Sequence, residues 1–180
     1  MKKIFSFVCI TCAMVMGVFT SCNNQNTPTP PTPAAKVMAE MTYKFSVNEE
    51  IQKRFDVIVK YYDADGTVKT ETLAQASFEK KVKTAGLPSK LGIHVTLQVK
   101  EGWNITTMEP FYGEYSYDCM GYCIDEKGYV VSDAVRPMET LGFHLKEGKV
   151  AEWYETTNKE CLISILYEFK ADKTIAPLVW

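Results

Sequence analysis

An antiparallel β-sandwich, immunoglobulin-like in kind and with a small β-barrel as the alternative, is the fold that residues 37–180 predict. Three observations lead there. From Met41 onward apolar residues recur with a period of two rather than 3.6. Turn-forming clusters interrupt that alternation at short intervals. No stretch carries a convincing amphipathic helical face, and all-β architecture is what remains.

Taken in order, Phe55, Val57, Val59 and Tyr61 alternate with Asp56, Ile58, Lys60 and Tyr62. The turn Asp63-Ala64-Asp65-Gly66 follows and Val68–Thr72 returns, a hairpin with strong turn chemistry. A helix over 74–82 would be too short to stand alone. Ile93, Val95, Leu97 and Val99 alternate with His94, Thr96, Gln98 and Lys100, as a half-buried strand should. The aromatic run Phe111–Ile124 reads as a strand, Asp125–Gly128 as a turn, and Tyr129–Val135 as the return strand. Leu141–Lys146, the turn at Glu147-Gly148 and Val150–Tyr154 read as another hairpin. Cys161–Lys170 places Cys161, Ile163, Ile165, Tyr167 and Phe169 on one face. The count comes to eight or nine strands, with enough chain for one domain and a real core.

Ahead of this domain lies a different kind of chain. Lys2 and Lys3 open it, and Ile4–Phe19 is almost free of polar side chains, the pattern of a secretory signal peptide over residues 1–21. The apolar run is slightly short for a membrane span. Thr20 and Ser21 then precede Cys22. These residues resemble the lipobox of bacterial lipoproteins, although Val18 and Phe19 stand where a leucine-type residue is more usual. The resemblance implies that Cys22 is alkylated with diacylglycerol, that the signal is cut before it, and that the new N-terminus is acylated, palmitate being one such acyl group. Two or three acyl chains hold a protein durably at a membrane where one does not. Residues 23–36 lack apolar periodicity, and Pro28, Pro30, Pro31 and Pro33 favour an extended tether that reaches on the order of 40 Å.

The domain sequences FDVIVKYYDADGTVKTETL and LPSKLGIHVTLQVKEG, together with the signal and tether, resemble small uncharacterised lipoproteins of gut Bacteroidota. That resemblance implies an outer-membrane address and brings no activity with it. In such proteins surface export follows acidic residues after the lipidated cysteine. Asn23, Asn24 and Gln25 are neutral here, which leaves the periplasmic face and the cell surface both open.

Composition narrows the partners. The chain has 20 Lys+Arg against 22 Asp+Glu, and Arg54 and Arg136 are its only arginines, so nucleic acid is not expected as a partner. Cys119, Cys123 and Cys161 remain once the signal cysteines and Cys22 are set aside. The spacing of Cys119 and Cys123 does not match a metal or redox pair, and on one strand they lie ~13 Å apart, too far to bond each other. One of them can staple to Cys161 across the core; the alternative is three buried thiols.

Other candidates are weaker. Asp63, Asp65 and Glu71 resemble part of a calcium loop, but Thr67, Lys69 and Ala74 replace the remaining ligands, so no metal is expected. By strand parity His94 and His144 point to solvent on separate strands. Trp103, Trp153 and Tyr154, with Trp180, Tyr112 and Tyr122, are candidates for a platform that stacks on sugar rings, against the plainer alternative that they fill the core. No nucleophile, phosphate or dinucleotide motif appears. The expectation is a non-enzymatic, cofactor-free binding or structural module, lipid-anchored at the outer membrane and meeting an envelope protein or a glycan. The alternatives are a glycan-binding surface accessory and a pilus-like or adhesin subunit that exchanges its apolar end, Thr174–Trp180.

Overall fold

A computed structural model describes residues 35–158 and 161–180. Among the described residues nine strands build two antiparallel sheets. The four-stranded sheet runs in the order β4 (Ser77–Lys83), β1 (Val37–Val47), β6 (Phe111–Asp125), β7 (Met138–Leu145). The five-stranded sheet runs β3 (Val68–Thr72), β2 (Phe55–Tyr62), β5 (Ser89–Val99), β8 (Ile163–Phe169), β9 (Ile175–Leu178). Two separate sheets packed face to face make a sandwich; the barrel alternative does not hold.

Alternation dictates which side chains meet between the sheets. Met41, Tyr43 and Phe45 of β1 and Phe111, Tyr115 and Cys119 of β6 face inward from one sheet. Phe55, Val57, Val59 and Tyr61 of β2 and Leu91, Ile93, Val95 and Leu97 of β5 face them from the other. Each large apolar side chain so buried stabilises the fold by roughly 1.5–3 kcal/mol before entropy is counted. The predicted hairpin at residues 63–66 is present, with the Gly66 N–H bonded to the Asp63 carbonyl at 3.0 Å and Gly66 at φ +78°.

A buried polar contact crosses this core. The Tyr43 hydroxyl reaches from β1 into the opposite sheet, accepts the Gly92 N–H at 3.0 Å and donates to the Tyr62 carbonyl at 3.2 Å. The β2–β5 ladder ends at the Tyr61–Ile93 pair, so the hydroxyl bridges the strands where they part. Gly92 must be glycine for a separate reason: a Cβ there would lie 2.3 Å from the Ile165 carbonyl oxygen.

Three expectations need correction. Tyr129–Val135 is not a strand; only Val130 and Val135 bridge to β6, at Ile124 and Gly121. Val150–Tyr154 is not the second arm of a hairpin. It forms the short helix α2 (Val150–Trp153), followed by a π-helical turn at Tyr154–Asn158. The apolar positions 150, 153 and 154 have helical spacing, which brings Val150, Trp153 and Tyr154 onto the core together. As expected, residues 74–82 contain no helix; strand β4 begins at Ser77. A helix the alternation did not reveal, α1 (Glu49–Arg54), joins β1 to β2. Its signals are local: Asn48 caps it by accepting the Ile51 N–H at 3.2 Å, acids fill the first turn, and Lys53 and Arg54 fill the last.

The chain end is used within the domain. β9 pairs with β8 from Leu178 opposite Leu166 to Ile175 opposite Phe169. Trp180 then packs 5.0 Å from Tyr62 and 5.6 Å from His94, ring centre to ring centre. His94 therefore sits on the outer face, as parity predicts, but under an indole rather than open to water.

Candidate functional site

Register across the four-stranded sheet aligns outward-facing residues into rows. Ser46 lies opposite Ser77 on one side and Ser116 on the other, and Ser116 lies opposite Thr140. Four short hydroxyl side chains thus run across all four strands, with the Ser46 and Ser116 Oγ atoms 2.8 Å apart. The next row is Glu79, Lys44, Asp118 and Met138. These longer side chains stand above the hydroxyls, and the result is a shallow trough of about 440 Å³ that also includes Glu139.

The wall is held by paired charges. Lys44 Nζ lies 3.2 Å from Glu79. Arg136 grips Asp118 with two parallel bonds, Nε at 2.9 Å and Nη2 at 2.7 Å. That guanidinium holds the Asp118 carboxyl below the usual carboxylate range. Further along the same face Glu40 is buried among strand neighbours. Burial pushes its pKa up, but bonds from Lys81 and Tyr122, both 2.6 Å, outweigh this and keep it low.

On the other flank the strands carry Glu114 opposite Gly142 and Tyr112 opposite His144. The Tyr112 hydroxyl donates to Glu114 at 2.5 Å, and that bond raises the phenol pKa. The ring lies down over β7: a Cβ added to Gly142 would meet the Tyr112 hydroxyl at 2.3 Å. Tyr112 keeps 39% of its surface exposed and stacks loosely with His144 at 4.8 Å. This face therefore offers hydroxyl donors and acceptors, carboxylates and one flat aromatic ring. Among the described residues no cluster of His, Cys, Asp and Glu is gathered for a metal ion.

The residues singled out from the sequence lie elsewhere. Cys22 is outside the described residues. Cys119, Cys123 and Cys161 are all thiols with no bond between sulfurs. The strand spacing that separates Cys119 from Cys123 is present on β6, where both face inward. Burial pushes the Cys119 thiol up to about 12 and raises Cys123 as well.

Trp103, Trp153 and Tyr154 do not form an exposed platform, because their rings are used within the domain. Trp103 covers the Arg54 guanidinium at 5.1 Å, and Phe111 covers it at 4.6 Å. Trp153 stacks on Phe143 at 4.8 Å and meets the edge of Phe55. Tyr154 stacks on Phe55 at 5.9 Å and donates its hydroxyl to the Leu97 carbonyl at 3.0 Å. A small apolar cleft of about 180 Å³ beside Trp153, lined by Leu141, Phe143 and Leu162 among others, is what remains open there.

The hydroxyl row escaped the sequence reading because its members come from four strands. Each is legible as an outward-facing position; their alignment depends on the pairing of β4, β6 and β7 with distant partners. No protein-family model, curated protein or solved structure matches this chain.

Proposed function

We propose that this protein is a lipid-anchored, non-enzymatic binding module of the outer membrane, held by acyl chains on Cys22 and presenting its β-sandwich at the end of the 23–36 tether. The observation that carries this reading is the sequence around Cys22: a basic start, an apolar run, Thr20-Ser21-Cys22, then a Pro/Thr tract that ends just before β1 begins at Val37. The outer face of the four-stranded sheet is the surface we assign to binding, because it carries a trough and, on the trough's flank, the exposed Tyr112 ring.

Two observations weigh against the alternatives. A pilus-like subunit needs an exchangeable segment, yet Ile175–Leu178 is paired in its own sheet and Trp180 packs on the same domain. A glycan accessory built on Trp103, Trp153 and Tyr154 lacks its platform, since those rings pack inside the domain.

Cell fractionation with alkynyl-palmitate labelling tests the anchor. The wild-type chain is expected in the membrane fraction and labelled, and the Cys22→Ser chain unlabelled and released from membranes. Equal labelling of both chains would overturn the proposal. Protease treatment of intact cells then assigns the face: digestion places the domain at the surface, and protection until the outer membrane is breached places it in the periplasm.

A further inference from the structure

We propose that the outer face of the four-stranded sheet binds a neutral glycan chain, with the Tyr112 ring, on the flank of the trough, as its stacking surface and the Ser46–Ser116 hydroxyl row as its polar floor. This rests on the reading of the domain as a binding module and names the ligand class for that surface.

Three properties of the face select this chemistry. First, the two cations beside the trough are already committed: Lys44 to Glu79 and Arg136 to Asp118. A polyanion such as a nucleic acid or a sulfated chain would have to break those pairs and would still face Glu114. Second, β1 and β6 are interior strands whose backbone groups are used in ladders on both sides. A peptide cannot be held here by main-chain pairing, which is how extended peptides gain affinity on sheets. Recognition must pass through side chains, and those present are hydroxyls and carboxylates. A hydroxyl donates one bond and accepts two, and a carboxylate accepts several, the complement of a ligand whose rim is itself made of hydroxyls. The Ser46–Ser116 contact engages a single proton of the pair, so the second proton and the spare lone pairs stay available.

Third, the aromatic contact is set at the right place. A sugar ring has an apolar face of C–H bonds as well as a polar rim. Tyr112 lies flat because Gly142 leaves room beneath it, and its hydroxyl is tied to Glu114, so the ring is held with a face toward solvent. Glu114 stands between that ring and Ser116 on the same strand face. Strand spacing puts Tyr112 ~13 Å from Ser116 along β6, so a short oligosaccharide laid along the strand reaches from the ring to the hydroxyl row. A ring for the C–H face beside hydroxyls for the rim is what such a chain needs.

The test uses the full chain, solubilised in detergent from palmitate-labelled membranes, on an array printed with neutral, uronate-bearing and sulfated polysaccharides. Affinity for the retained glycans is then measured by titration. Neutral glycans are expected to be retained, with at least about tenfold weaker binding for Tyr112→Ala and for Ser46→Ala/Ser116→Ala. Trp103→Phe, remote from the trough, is expected to bind as wild type. Circular dichroism melts confirm that each variant is folded. Three results would overturn the proposal: no neutral glycan retained, retention of acidic glycans or a basic peptide only, or neutral binding that the trough variants leave unchanged. The palmitate signal on the same preparation reports the anchor separately. Label without glycan binding defeats the ligand assignment alone, and binding without label defeats the anchor alone.

Discussion

Replacing Tyr43 by Phe isolates a polar contact that ties the two sheets together through the core. The substitution keeps the ring and its packing against Tyr61 at 6.1 Å, and removes only the hydroxyl. Two backbone groups lose their partner: the buried Gly92 N–H at 3.0 Å and the Tyr62 carbonyl at 3.2 Å. The strands have already parted at this point, so the two groups have no ladder bond to fall back on. An unsatisfied buried donor or acceptor costs about 1–3 kcal/mol, which gives about 2–4 kcal/mol for the pair, since Tyr62 is only partly buried. At roughly 2–4 °C per kcal/mol for a domain near this size, the melting midpoint should fall by about 5–15 °C. Tyr61→Phe is the matched control. Its hydroxyl meets Glu71 at 2.5 Å near the surface, and losing it should cost less than about 1 kcal/mol. Urea unfolding followed by circular dichroism measures both variants. A Tyr43→Phe protein within about 0.5 kcal/mol of wild type at unchanged m-value would refute the reasoning, because it would mean the strands close without the bridge.

Other consequences follow from the same contacts. Gly92→Ala places a methyl against backbone at Ile165 and Leu166, so it should destabilise the domain by more than about 3 kcal/mol in urea titration, whereas Gly142→Ala meets only the movable end of Tyr112 and should cost about 1 kcal/mol or less. Arg54→Ala removes a buried guanidinium that Trp103 and Phe111 sandwich and that pairs with Glu50; a loss of about 2–4 kcal/mol and a red shift of tryptophan emission are expected. Cys119 and Cys123, with raised pKa values, should resist iodoacetamide at pH 8 in the folded protein and react at once in guanidinium, as peptide mapping would show. Glu40 has a folded pKa below its ordinary value, so its stabilisation is present above the unfolded carboxyl pKa and is lost as pH falls through the folded one. The acid-side decline in melting midpoint should therefore be shallower in Glu40→Gln than in wild type.

The strands were legible because each signal is local. Phe55, Val57, Val59 and Tyr61 declare their inward face within eight residues, and Asp63–Gly66 declares the turn beside them. Where the reading failed, tertiary packing chose between local options. Val150, Trp153 and Tyr154 fit a strand by composition, but Phe55 and Phe143 receive their rings only if that segment coils. Tyr129–Val135 has strand-forming residues and yet only two bridges to β6, while β7 takes the ladder from Phe111 to Asp118. Asn48-Glu49-Glu50 was a readable helix start that the surrounding alternation masked. The aromatic residues were read as a set, and the fold divides them: Trp103, Trp153 and Tyr154 pack against the core, Trp180 packs on Tyr62 and His94, Tyr122 bonds Glu40, and Tyr112 lies on the flank of the hydroxyl row. That division depends on register between strands more than 20 positions apart in the chain, which no local pattern encodes.

The anchor at Cys22 is the claim on which the rest of the functional account stands. Its most direct test is mass spectrometry of the N-terminal peptide of the mature protein, purified in detergent from its own membranes. The account predicts a chain that begins at Cys22 and carries diacylglycerol on the thiol and an acyl group on the amine. A mature N-terminus at any other residue, or an unmodified Cys22, would contradict it.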